Sequence, residues 1–210
     1  MRMGGMILKI LYGTTNPAKL AAMRKVTDPL GIELIGLHEL DLPIPAAAET
    51  GTDILQNAEL KARAYFGAFG MPVFSCDSGL YFDGFPPELQ PGPFVRRVNG
   101  RDLTDDEMTA HYAALAHSRG GALKARYRNA ICLILSPDRM IKSEDISLAS
   151  EPFLLTDTPH PKQVKGFPLD ALSKEPGTGA YYYDLPETPG DNSSIDAGFT
   201  AFFRKALNLI

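Results

Sequence analysis

The apolar run over residues 7–12 stops at Gly13, and Pro17 then opens a helical spacing of Leu20, Met23 and Val26. A short apolar run bounded by turn residues predicts a buried strand, and proline at a first helical position predicts the start of a helix. Thr14-Thr15-Asn16 is left as the polar turn between them. This strand–turn–helix order constrains the fold most, because it recurs. Residues 32–37 predict a second strand after Pro29 and Gly31. Residues 41–51, with Pro43 and Pro45, predict a loop. Ile54, Leu55, Ala58, Ala62, Tyr65, Phe66 and Phe69 fall on one face of a helix over 52–69. Val73-Phe74-Ser75-Cys76 predicts a further strand, opening onto a turn at Asp77-Ser78-Gly79.

The following segment changes character. Pro86, Pro87 and Pro91 between Gly84 and Gly92 predict irregular chain. Thr104-Asp105-Asp106-Glu107 has the spacing of a capping box and predicts a helix to about Ser118. Residues 125–135 and 140–149 predict strands joined at Ser136-Pro137-Asp138-Arg139 as a hairpin. Residues 152–194 are rich in Pro, Gly and Tyr with little periodicity, and residues 199–209 predict a short amphipathic helix. Crossover helices together with a hairpin predict an α/β fold with a mixed, elongated central sheet and flanking helices. No repeat or linker divides the chain, so residues 1–210 are expected to form a single, two-lobed domain.

A chain of 210 residues with 44% hydrophobic residues can build a core without disulfides or structural metal. The 21 Lys and Arg against 25 Asp and Glu argue against polymeric nucleic acid, which needs a basic footprint. They leave room for a single nucleotide, whose phosphates can arrive partly neutralised by Mg²⁺. Cys76 and Cys132 have no paired spacing, which fits a reduced, cytoplasmic setting. No signal peptide is expected at residues 1–6, and no apolar run is long enough for a membrane span.

Four polar clusters stand at element ends. Thr14-Thr15-Asn16 with Lys19 at a helix start suits phosphate, although the same residues serve as a plain helix cap. Glu49 is a loop carboxylate before the long helix. Asn57 and Lys61, four residues apart, share one flank of that helix. Asp77-Ser78-Gly79 places a carboxylate after an apolar strand, where α/β proteins bind ligands, or makes an Asx turn. Together they suggest cationic and amide donors for phosphate and two carboxylates for a hard metal ion. His38, His111, His117 and His160 lack metal-ligand spacing, and Tyr181-Tyr182-Tyr183 reads as a packed aromatic run that could also stack a base.

These stretches resemble the inosine triphosphate pyrophosphatase family. Thr14 to Lys19 is similar to its Thr/Ser-x-Asn-x-x-Lys phosphate loop, and Glu49-Thr50-Gly51 through Asn57 to Ala62 to its Glu-Thr-Gly…Glu-Asn-Ala-x-x-Lys-Ala segment. Asp77-Ser78-Gly79-Leu80 is similar to Asp-Asp-Ser-Gly-Leu, and Pro91 to Arg97 to Pro-Gly-x-Tyr-Ser-x-Arg. The resemblance implies two lobes around a nucleotide cleft and a homodimer. It implies Mg²⁺-dependent hydrolysis of non-standard purine triphosphates such as ITP and XTP to monophosphate and pyrophosphate. Glu49 and Asp77 would ligate the metal, Asp77 would also activate water, and Lys19 and Lys61 would hold phosphates. Thr14, Thr15, Asn16, Asn57, Ser78, Gly79 and Arg97 would complete the substrate site, and Phe167 and Asp170 would contact the base.

Three departures stand out. Cys76 replaces the first of the family's two acids, and a thiol is a poor magnesium ligand. Gly166-Phe167-Pro168-Leu169-Asp170 matches the family's base motif only in part. Asp191 to Asp196 occupies the place of its Ser-His-Arg motif, without His or Arg. Two alternatives follow: a nucleotide-binding protein of little or no activity, or a pyrophosphatase for a different base.

Overall fold

The computed structural model describes residues 8–47, 50–186 and 193–209. The described residues divide into two compact units, the first formed by residues 8–47, 50–78, 129–148 and 193–209, the second by residues 79–128 and 149–186.

In the first unit β1 (Leu8–Tyr12) lies parallel to β2 (Ile32–Gly36), Leu8 opposite Ile32, and parallel to β3 (Val73–Phe82), Tyr12 opposite Phe74. The helices α1 (Pro17–Thr27) and α2 (Ile54–Phe69) are the crossovers that parallel pairing requires. β3 neighbours β6 (Ala122–Ser136), which turns back into β7 (Arg139–Ser143), Cys132 opposite Lys142. Side chains alternate across a strand. One face of β1, β3 and β6 therefore gives Ile10, Tyr12, Phe74, Ile131 and Leu133 to α1 and to α4 (Ser193–Leu207). The other gives Leu11, Val73, Ala130, Cys132 and Ile134 to α2.

In the second unit β6 pairs antiparallel with β8 (Phe153–Thr156), Leu123 opposite Leu155, and β8 pairs with β9 (Ser173–Lys174). A small hairpin joins β4 (Arg97–Val98) to β5 (Arg101–Asp102). Then α3 (Asp105–Ser118), started by the Thr104–Glu107 capping box, packs Met108, Tyr112 and Ala116 with Leu80, Phe82 and Leu155.

The mixed α/β architecture agrees with the sequence reading, and four boundaries differ. β3 does not end at Cys76: Asp77, Ser78 and Gly79 lie inside a ten-residue strand rather than a turn. Glycine is needed at 79 for close approach, since a Cβ there would stand 2.8 Å from the Gly92 carbonyl, and Leu80 and Gly92 exchange backbone hydrogen bonds of 3.0 Å. β7 ends at Ser143 because Ser143 Oγ accepts the Asp145 N–H at 3.2 Å and Asp145 accepts the Ser147 N–H at 2.9 Å, local bonds that compete with a ladder. α4 begins at Ser193, six residues before the predicted start, extending the apolar stripe of Phe199 and Phe203 back to Ile195. Finally, residues 152–186 contain β8, β9 and short 3₁₀ turns at Pro168–Leu172 and Tyr182–Asp184.

Candidate functional site

The period-two alternation of β3 sorts the candidate residues onto two faces of one strand. Asp77 points to α2, as Ser75 and Val73 do. Cys76 and Ser78 point to α1 and α4, as Phe74 does.

On the α2 face, Lys61 Nζ meets Asp77 Oδ1 at 2.7 Å, and the two side chains are only 12% and 13% exposed. Asn57, one helical turn earlier, donates from Nδ2 to Asp77 Oδ2 at 3.2 Å, while its Oδ1 accepts the Gly51 N–H at 2.9 Å. Both ends of this buried amide are engaged by the protein. Asn57 therefore orients Asp77 and anchors the loop before α2, and one N–H of its amide remains beyond these two bonds. The carboxylate is engaged by one ammonium and one amide, with lone pairs remaining for a cation or a water proton.

On the opposite face a cavity of about 170 Å³ is lined by Tyr12, Lys19, Cys76, Ser78, Asn129 and Asp196 among its polar and thiol groups. Burial pushes the Cys76 thiol up to about 12, against the pull of Lys19, the Tyr12 hydroxyl and Lys61. At neutral pH it is an uncharged thiol, so this position supplies no anionic ligand. Ser78 Oγ donates to Asn129 Oδ1 at 2.7 Å, and Asn129 Nδ2 donates to the Leu148 carbonyl at 2.6 Å.

At the start of α1, Asn16 Oδ1 accepts from the Ala18 and Lys19 N–H groups at 2.9 and 3.3 Å, and Thr14 Oγ1 accepts the Asn16 N–H at 3.2 Å. The cap is real, and beyond it Thr15 and Lys19 remain exposed. Glu49 lies outside the described residues. Among the described residues no group of three or more His, Cys, Asp or Glu is placed to hold a metal ion.

Gly79, Arg97, Phe167 and Asp170 belong to the second unit. Arg97 Nε meets Asp102 Oδ1 at 2.9 Å in the β4–β5 hairpin. Phe167, 37% exposed, precedes the turn at Pro168–Leu172. The carboxyl of Asp170 is pushed above the ordinary carboxylate range by desolvation, although its side chain reaches the surface. Tyr181 and Tyr183 are packed against His160, and Lys174 and Lys162 sit over their rings. His117 and His160 pair with Asp157 and Asp184. Sequence reasoning passed over Asn129 and Asp196. The available signal for Asn129 was a lone amide in the otherwise apolar run Ala130-Ile131-Cys132-Leu133.

Fold and site define a mixed α/β protein with a lysine-held carboxylate on its central strand. Residues 10–148 match the Ham1 family. A dITP/XTP pyrophosphatase of Bradyrhizobium diazoefficiens is 30% identical over 173 residues, covering 80% of this chain and 77% of that protein. One of Thermus thermophilus is 30% identical over 179 residues, covering 85% of this chain and 81% of that protein. A solved HAM1 protein of Coxiella burnetii has the same fold, with TM-score 0.70 and 22% identity over 96% of this chain and 98% of that one. The chain belongs to the Ham1 family.

Proposed function

We propose that this protein is a nucleoside triphosphate pyrophosphatase that cuts between the α and β phosphates, releasing nucleoside monophosphate and pyrophosphate, with Mg²⁺ as its metal. Hydrolase class follows from membership of a family whose relatives here are dITP/XTP pyrophosphatases, and non-standard purine triphosphates such as ITP and XTP are the substrates we assign. The observation that carries the reading is the Asp77 carboxylate, fixed between Lys61 at 2.7 Å and Asn57 at 3.2 Å. A structural ion pair alone has no need of a buried amide that aligns the carboxylate.

The donor set suits a hard cation. Asp77 is an anionic oxygen ligand, and Mg²⁺ takes one or two carboxylates with waters and phosphate oxygens filling its other positions. Asp77 and, on the resemblance, Glu49 would hold it. The neutral Cys76 thiol would not. Bound there, the ion would neutralise charge on the phosphates and acidify a coordinated water. Lys61, beside Asp77, places a cation for phosphate oxygens, and Lys19 with the Thr14–Asn16 turn receives phosphates at the start of α1. Asp77 accepts the proton of the attacking water. Base contact is assigned on the resemblance to Phe167 and Asp170, and a further substrate contact to Arg97.

We also assign the 210 residues to one catalytic domain acting as a homodimer in the cytoplasm. Two free cysteines support a reducing compartment, and no helix among the described residues is long and apolar enough to cross a membrane. The uncharged Cys76 favours one rival, a nucleotide binder without turnover. Pyrophosphate release from ITP, dITP, XTP, GTP, ATP and the pyrimidine triphosphates, with Mg²⁺, separates the two. Monophosphate and pyrophosphate in equal amounts support the enzyme. Binding without turnover supports the rival, and orthophosphate release contradicts the site of cleavage.

A further inference from the structure

We propose that the cavity between α1 and α4 of the first unit is a subsite for the N–H-bearing edge of the substrate's base, and that Asp196 selects that edge. The inference rests on reading the chain as a nucleoside triphosphate pyrophosphatase.

The cavity has the character of a small-molecule site, with apolar walls and few polar groups. Met23, Val26, Ile195 and Phe199 form its apolar wall, and its volume is about 170 Å³. Hydrogen-bond accounting fixes the sense of its polar groups. The Leu148 carbonyl can only accept, so Asn129 must turn Nδ2 towards it and leave Oδ1 for Ser78. The Ser78 hydroxyl proton is thereby engaged on Asn129 at 2.7 Å. Ser78 consequently faces the cavity as an acceptor and has no proton for a phosphate.

Asp196 is the second acceptor. It sits in the first turn of α4, half-buried in the cavity wall. No ion pair or side-chain hydrogen bond among the described residues engages it. Desolvation raises its carboxyl above the ordinary range and Lys25 opposes the rise, the signature of a carboxylate short of donors. Lys19, the cation lining the same cavity, is assigned to phosphate. The Tyr12 hydroxyl and the Cys76 thiol are hydrogen-bonded to each other, so the groups left to a ligand, Ser78 and Asp196, accept and select a ligand edge that donates. In a 6-oxopurine that edge is N1–H. The sequence has no His or Arg where the family reads the oxo group, and the structure offers an acceptor for the adjacent N–H in its place.

The test measures binding of inosine monophosphate and its 1-methyl derivative by calorimetry, and kcat/KM for the corresponding triphosphates. The methyl group removes the N1 donor. The wild type should favour the unmethylated ligand by about 10–100-fold, the range for a hydrogen bond to a charged group. Asp196→Ala should bring the two ligands within about 2-fold, whereas a merely structural role would weaken both equally and preserve the ratio. Asp196→Asn keeps the shape of the side chain and should give an intermediate ratio. A wild type that does not discriminate, or variants that keep its full discrimination, would overturn the proposal. Discrimination in binding without any pyrophosphate release would overturn the hydrolase reading and leave the subsite standing.

Discussion

The two faces of β3 in the first unit differ in how their polar groups are satisfied. On the α2 side Asp77 is enclosed and paired, with Lys61 on one oxygen and Asn57 on the other. On the α1 and α4 side Cys76 and Ser78 border a cavity where no ion pair or side-chain hydrogen bond among the described residues engages Lys19 or Asp196. A paired, aligned carboxylate is what bond-breaking chemistry requires, because alignment must precede the transition state. An unsatisfied acceptor in an apolar cavity suits recognition, because it gains most from a ligand's donor. One residue's difference in register places a side chain on one face or the other. This is how a single strand can serve both tasks.

The largest expected effect separates the faces directly. Asp77→Asn removes the anion and should lower kcat by at least about 10³-fold, several kcal/mol of transition-state stabilisation. Its far-ultraviolet circular dichroism should match the wild type. Turnover near the wild-type rate would remove Asp77 from the mechanism. Next come the two lysines. Lys61→Ala should cost about 10²-fold in kcat/KM, consistent with loss of a charge-assisted contact of about 3 kcal/mol, and it also leaves a largely enclosed carboxylate without its cation. Lys19→Ala, at an exposed position, should chiefly raise KM for triphosphate and affect monophosphate binding less. Equal losses for both ligands would displace Lys19 from the phosphates.

A smaller effect is expected at Asn57. Asn57→Ala leaves the Gly51 N–H and one Asp77 oxygen without their partner, and should lower stability by about 1–3 kcal/mol in urea unfolding. Activity should fall chiefly through kcat, because the amide orients the carboxylate. The last effect, absent at neutral pH, concerns the thiols. Burial holds Cys76 and Cys132 protonated to about 12 in the folded protein, against an ordinary value of 9.0. The unfolded chain loses these protons first, so stability falls as pH rises from about 9 towards 12. The slope should reach about 1 kcal/mol per group per pH unit, and Cys76→Ala/Cys132→Ala should flatten it between pH 9 and 10. An unchanged slope would mean that the thiols titrate normally.

The residues that face one another were unevenly visible in the sequence. Asn57 and Lys61 were legible as neighbours because helical spacing sets which side chains share a flank. The strand carrying Asp77 was legible in its apolar first half. Its second half was not, because Asp-Ser-Gly resembles a turn, and its strand form depends on neighbours distant in sequence, β6 in the sheet and Gly92 against Gly79. Asn129 was hidden because its role depends on register: β6 must lie beside β3 before the amide can reach Ser78. Asp196 was hidden for the same reason, since a helix packed against β3 brings residues far apart in sequence to one cavity. Local periodicity was readable, whereas pairings across more than 50 residues needed the fold.

The central claim is that Asp77 drives cleavage between the α and β phosphates. Phosphorus-31 NMR of ITP with Mg²⁺, followed in parallel for the wild type and Asp77→Asn, tests it most directly. The account predicts equimolar inosine monophosphate and pyrophosphate from the wild type, and an essentially unchanged triphosphate spectrum from the variant over the same interval. Diphosphate and orthophosphate as first products, or the same product growth from both proteins, would contradict it.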